Sequence, residues 1–249
     1  MLTHYILLSS SYSKGERIAL DFIIEEEKNF EKKMNNILQE IKEKCGKDVS
    51  FSTHYIQTDS KEWKSVVGKD SFFKDVVIIK SVDNFITLIQ KDRKLDGLDV
   101  AKYILTKIRC THLKLEKLSY FCYADYLCRY HKKLFYDDIY AFQYGPVISS
   151  VYGKFKKKGY EEIDEKDIDS GDIYEMPARS RILFAEDGLD KIRSIDETLM
   201  RYGKYTANEL VTMTHRENSP WSLSGKGRII KSKITDERII QYHKNEEAL

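Results

Sequence analysis

The chain is poor in several of the residue types that announce a function. It has 3 prolines and 12 glycines in 249 residues, and no glycine-rich phosphate loop stands between a strand and a helix, which excludes the commonest nucleotide-binding signatures. Its four cysteines, Cys45, Cys110, Cys122 and Cys128, contain no C-x-x-C pair. They are too few for a disulfide scaffold and read as free thiols of a reducing cytoplasm. The longest apolar stretches, such as Val76 to Ile79, are far too short to span a bilayer. The N-terminus has no basic region ahead of its apolar run, so a secretory signal is not expected. Charge of one sign is also missing. Residues 1–97 carry 16 basic and 16 acidic side chains, and 98–249 carry 26 and 24. That balance argues against a dedicated nucleic-acid binder.

Chemistry-bearing spacings are equally sparse. The histidines His4, His54, His112, His131, His215 and His243 are scattered, with no H-x-x-x-H pair. Cys110 and His112 are neighbours, but a closed metal site needs further ligands that spacing does not supply. No metal and no cofactor is expected. Thr214, His215 and Glu217 could be drawn as a base with its orienting acid, but they also fit a helix end before Ser219-Pro220. No nucleophile elbow or papain-like cysteine context is present, so the expectation is a protein without enzymatic activity.

What is abundant is charge, at 33%, and tyrosine, at 17 residues. Tyrosine offers large contact area at low entropy cost and suits binding surfaces. It also fills cores, and composition leaves both open. The run from Glu161 to Asp172 has seven carboxylates. It fails the calcium-loop pattern and reads as a solvated loop or an acidic face for a basic partner. Lys154 to Lys158, four lysines around Phe155, is placed at a helix C-terminus, where cations complement the dipole. Arg228 to Lys233 is a second, weaker basic stretch.

The pattern predicts an α+β protein: a small N-terminal α/β unit over 1–95, then a mainly helical part with a short sheet. In the first, Tyr5 to Leu8 is a strand and Glu16 to Lys44 a long helix carrying Ile18, Phe22, Met34, Ile37 and Ile41, stopped by Gly46. Strands follow over Val49–Ile56 and Val76–Ile79, then a helix with Phe85, Leu88 and Ile89, giving strand-helix-strand-helix order. Turn chemistry at Lys94 to Leu98 marks the junction. Beyond it, Asp96 or Asp99 caps one helix and Thr111 caps another over His112–Tyr130. Phe135 to Phe142 is extended. Tyr144-Gly145-Pro146 is a turn, with Pro146 at the first position of a helix that buries Val147, Val151 and Phe155 and ends at Gly159. Ile182 to Phe184 is a strand candidate. Helices follow from Asp187 to Tyr202, from the capping box Thr206-Ala-Asn-Glu209 toward Thr214, and after Thr235.

One ordered series of segments is specific. Leu113 to Phe121 (LKLEKLSYF) is followed by Tyr126-Leu127, Leu134-Phe135, Ala141-Phe142 and Tyr144-Gly145-Pro146-Val147. Then come Ser150-Val151-Tyr152, Phe155-Lys156, and farther on Leu210, Thr214-His215 and Ser219-Pro220-Trp221. This series, over roughly 98–245, resembles the Panacea domain, also described as SocA-like or GepA-like. The resemblance implies an antitoxin that binds and neutralises a toxin encoded beside it, with no catalysis. Its alternatives are an adaptor delivering the toxin to a protease, or a DNA-binding repressor of the same system. Asp125 departs from the family, which often has an aromatic there. Sharing a helical face with Leu118 and Cys122, it is expected to be paired or at the edge of the buried stripe. The best-marked contact residues are Tyr144, Gly145, Pro146, His215, Pro220 and Trp221, each of which could equally serve the fold. The implied partner is a cognate protein toxin in the cytoplasm, with no membrane, and nucleic acid is the less expected partner. A second copy of the chain remains open.

Overall fold

A computed structural model describes residues 1–24, 27–163, 167, 177–228 and 232–247. The chain divides into two compact units, Met1–Lys94 and Leu95–Leu249. The architecture is α+β.

The first unit is a four-stranded sheet of order β3-β1-β2-β4, from β1 (Leu2–Ser11), β2 (Glu16–Ile24), β3 (Ser52–Thr58) and β4 (Val76–Ile78). β1 is antiparallel to β2 and β3, and β4 is parallel to β2. Successive side chains of a strand point to opposite faces, and both faces here are covered. Tyr5, Leu7, Ile18 and Leu20 pack with Met34 and Ile41 of α1 (Glu27–Cys45) and Phe85 and Ile89 of α3 (Val82–Asp92). Ile6, Leu8 and Ala19 pack on the other face with Val66 of α2 (Trp63–Lys69), Phe73 and Val76.

That double burial explains the main correction in this unit. The long helix predicted from Glu16 begins only at Glu27, and Glu16–Ile24 is a strand. A strand buried on both faces is apolar at consecutive positions, so it satisfies a helical period as easily as an alternating one. Gly15, at φ +64° with its N–H donating to Tyr12 O, closes the hairpin to β1. The unit therefore opens with a hairpin instead of alternating strand and helix. Gly46, at φ +97°, ends α1 by donating to Lys42 O.

The second unit is built around α5 (His112–Tyr130), which is buried over most of its circumference. A helix enclosed on all sides has little amphipathic signature. Packed on it are α4 (Gly97–Leu105), α6 (Ser149–Phe155), α8 (Gly188–Tyr202), α9 (Ala207–Thr214) and α11 (Asp236–Tyr242). Among the described residues the unit also holds two two-stranded sheets: β5 (Cys110–Thr111) with β8 (Glu162–Ile163), and β6 (Ile139–Phe142) with β7 (Gly145–Ile148). The tyrosines divide. Tyr103, Tyr120, Tyr123, Tyr126 and Tyr202 are fully buried, while Tyr55, Tyr136, Tyr144 and Tyr160 are exposed.

Helix starts follow local chemistry. The Asp96 and Thr206 side chains accept from the N–H groups of Asp99 and Glu209, whose carboxylates reach back in complete capping boxes. Thr111 and Thr235 cap α5 and α11, and Ser219 caps α10 (Pro220–Leu223) with Pro220 in its first turn. Two predictions fail here. Pro146 and Val147 lie in β7, and α6 starts at Ser149. Gly145 at φ +103° turns the chain straight back, pairing Phe142 with Gly145 and Ala141 with Pro146. Ile182 to Phe184 belongs to the helix α7 (Ala178–Phe184), with Ile182 buried on its inner side. Most of the acidic run from Glu161, and part of Arg228 to Lys233, fall outside the described residues.

Candidate interaction site

The site begins at Lys117 on α5. Its side chain is fully buried and its Nζ donates to Pro146 O at 2.6 Å. Burial pushes the ammonium down to about 8, against the charges of Glu116 and Glu246. A buried cation must be given polar partners by the backbone around it, and the β6–β7 hairpin supplies one. It also requires glycine at 145. A Cβ there would lie 2.8 Å from Thr214 Oγ1 and 2.9 Å from Lys117 Cε, at a φ that side chains rarely adopt.

The end of α9 and the start of α10 close around the same point. Ser219 Oγ donates to Thr214 O and accepts from Ser222 N, tying the two helices together. The His215 ring stacks on Trp221 at 3.6 Å and 6°. Trp221 Nε1 donates to Phe142 O at 2.7 Å, pinning the indole to the hairpin. Burial, then the charge of Lys117, holds His215 below the usual imidazole range, so the stacked ring is neutral at pH 7.

A second polar cluster anchors the end of the chain. His243 is buried between Asp125 and Glu246, with Nε2 at 2.9 Å from Asp125 Oδ1 and Nδ1 at 2.9 Å from Glu246 Oε2. Burial opposes its charge, but hydrogen bonds to both carboxylates raise it to about 9. Asp125, despite burial, is held low by His243, Thr198 and Arg201. Burial pushes Glu246 up, although His243 and Tyr120 both donate to it. Asp125 is thus paired, one of the two outcomes expected from its helical face.

Other polar clusters are structural. His4 Nε2 lies 2.9 Å from Ser60 O and Nδ1 2.9 Å from Asp21 Oδ2. A carbonyl only accepts, so Nε2 donates to Ser60 O and cannot act as a base toward Thr58. His112 is turned to Glu116, whose other oxygen accepts from Ile148 N. Among the described residues no group of three or more His, Cys, Asp or Glu side chains could hold a metal. Nor is any helix long and apolar enough to cross a membrane.

Of the six residues marked in the sequence, Gly145, Pro146, His215 and Trp221 converge on Lys117 and the hairpin, and Pro220 is buried at the start of α10. Tyr144 alone stands out, 61% exposed at the hairpin turn. Lys117, His243 and Glu246 were not marked. The sequence gives no sign of their roles, because their partners lie at distant positions.

The same stretch of chain is the one that matches a known family. Residues 115–222 match the family described as Antitoxin SocA-like, Panacea domain. Over these residues the chain is similar to the Panacea domain. The chain is also 29% identical over 150 residues to Antitoxin SocA of Caulobacter vibrioides (strain NA1000 / CB15N), an alignment covering 56% of this chain and 76% of that protein. No solved structure matches. The Panacea match runs from α5 to α10, narrower than the 98–245 expected. It includes Lys117, the hairpin, His215 and Trp221, and leaves His243, Glu246 and the first unit outside.

Proposed function

We propose that the chain is the antitoxin of a toxin–antitoxin pair and neutralises a toxin encoded beside it by direct protein–protein binding. The observation that carries this reading is the match to the Panacea domain over residues 115–222, together with likeness to a protein named as an antitoxin. The rigid hairpin–α9–α10 assembly supports it. Packed side chains hold that surface in place, and a preorganised surface loses less entropy on binding. The protein acts in the cytoplasm without catalysis or cofactor, and the first unit, outside the matched span, tunes partner choice. The test is co-expression with the product of the adjacent reading frame. Growth rescue together with a co-purifying complex is expected, and the absence of both would sink the proposal.

A further inference from the structure

The β6–β7 turn, α10 and the loop after it meet at one tip of the second unit. A Cβ on Gly227 would lie 2.7 Å from Gln143 N and Cα, so the loop is packed against the hairpin backbone. Trp221 fixes α10 to the same hairpin through Phe142 O. The loop is bent in an unusual way. Gly225, Lys226 and Gly227 are all left-handed, at φ +93°, +51° and +70°. Non-glycine residues rarely adopt this conformation, and such conformations cluster at functional surfaces.

Five side chains project from this scaffold, Gln143 among them. Tyr144 is 61% exposed and Leu223 40% exposed, and Lys226 and Arg228 are exposed beside them. Among the described residues neither Lys226 nor Arg228 makes an ion pair. Elsewhere on the unit, Lys132, Lys133 and Lys233 have carboxylate partners, while among the described residues the exposed Lys154, Lys156 and Lys157 make no ion pair. Among the described residues the tip therefore combines an aromatic, an aliphatic and two cations that make no ion pair.

We infer that this tip is the surface that takes the toxin, and that the toxin segment it fits is acidic with an apolar side chain among its carboxylates. The inference rests on the antitoxin reading and deepens it. Exposed tyrosine on a fixed scaffold makes a hot-spot anchor, and complementary charge steers encounter and sets register. A nucleic acid is the poorer occupant. Two cations cannot follow a phosphate backbone, and the unit around them is nearly charge-balanced at 26 basic and 24 acidic residues over 98–249.

The test is calorimetric titration of the full chain with the purified product of the adjacent reading frame, at low and at physiological salt. Three variants are compared with the unaltered chain: Tyr144→Ala, the double reversal Lys226→Glu/Arg228→Glu, and a control reversal of two exposed lysines of the second unit outside the tip, Lys107→Glu/Lys204→Glu. Thermal melting of each verifies that it folds. The tip variants should each weaken binding at least tenfold, the double reversal should flatten the salt dependence, and the control should bind as the unaltered chain does. If both tip variants stay within twofold of the unaltered chain while that chain binds tightly, the tip is not the contact surface and the antitoxin reading stands. No binding by the unaltered chain overturns both. Binding of a DNA or RNA duplex that the double reversal abolishes, with protein binding unaffected, assigns the tip to nucleic acid and overturns the inference.

Discussion

Alanine at position 145 should destabilise the second unit severely, and the magnitude can be worked from the geometry. Gly145 sits at φ +103°, and an L-residue held in left-handed space costs about 1–2 kcal/mol. The added methyl would stand 2.8 Å from Thr214 Oγ1 and 2.9 Å from Lys117 Cε. Both neighbours are buried, so neither can swing into solvent, and overpacking of this kind costs about 1–3 kcal/mol. If Lys117 is displaced, its Nζ loses the 2.6 Å bond to Pro146 O, a charge-assisted bond of about 1.5–3 kcal/mol. These contributions overlap, and ~3–5 kcal/mol in total is expected. The chain has two tryptophans, Trp63 in the first unit and Trp221 in the second. A Trp63→Phe background leaves Trp221 as reporter of the second unit's unfolding in urea. The midpoint should fall sharply at unchanged slope. Gly153 is the control: it lies inside α6 with open space around its Cβ position and an ordinary φ, so Gly153→Ala should stabilise by about 0.5–1 kcal/mol. A Gly145→Ala loss under ~0.5 kcal/mol, the size of a neutral surface change, would refute the account of Lys117 and the hairpin.

Three further outcomes follow from the same packing. Trp221→Ala should cost about 3–5 kcal/mol in urea denaturation, as expected for a large buried aromatic. Trp221→Phe, which keeps the stack and loses the bond to Phe142 O, should cost about 1–2 kcal/mol. The second unit should also lose stability on the alkaline side. His243 is raised from 6.5 to about 9, so its contribution is full below pH 6.5 and is lost as pH rises through 9. Lys117, lowered to about 8, works the opposite way from there up to 10.5, which leaves pH 6.5–8 as the clean window. A fall of about 1–2 kcal/mol is expected across it, and His243→Asn should flatten the slope. An unchanged slope in that variant would show that another group titrates. The thiols should be inert in the folded chain, since burial pushes Cys110 up to about 12 and Cys128 up to about 11 and raises Cys45 and Cys122 as well. A disulfide reagent should label them at least ~100-fold more slowly than in denaturant, and rapid labelling of any one would contradict its placement.

Much of the second unit was legible because its helix starts are encoded within four residues. Thr111, Asp96 with Asp99, Thr206 with Glu209, Ser219 with Pro220, and Thr235 each satisfy local N–H groups. The misreadings share a different cause. Whether Glu16–Ile24 is strand or helix depends on covering both sheet faces from residues as distant as Phe85. Pro146 fits a helix start locally, but the Gly145 turn commits it to pairing with Ala141. The polar cluster was invisible for the same reason: His243 meets Asp125 across 118 positions and Glu246 meets Tyr120 across 126. Of the candidate site, Gly145, Pro146, His215 and Trp221 could be marked as a group by their ordered motif. Their convergence on Lys117 could not, because a lysine inside LKLEKLSYF reads as an ordinary helical charge.

The central claim is neutralisation by direct binding, and it is tested most directly by growth rescue in two hosts, one with its energy-dependent proteases and one without. The product of the adjacent reading frame is expressed alone and with this chain, and its amount is followed by immunoblot. Direct binding requires equal rescue in both hosts, with the toxin persisting in a complex with this chain. Rescue confined to the protease-proficient host, with the toxin disappearing as growth resumes, would contradict the account and make the protein a delivery adaptor.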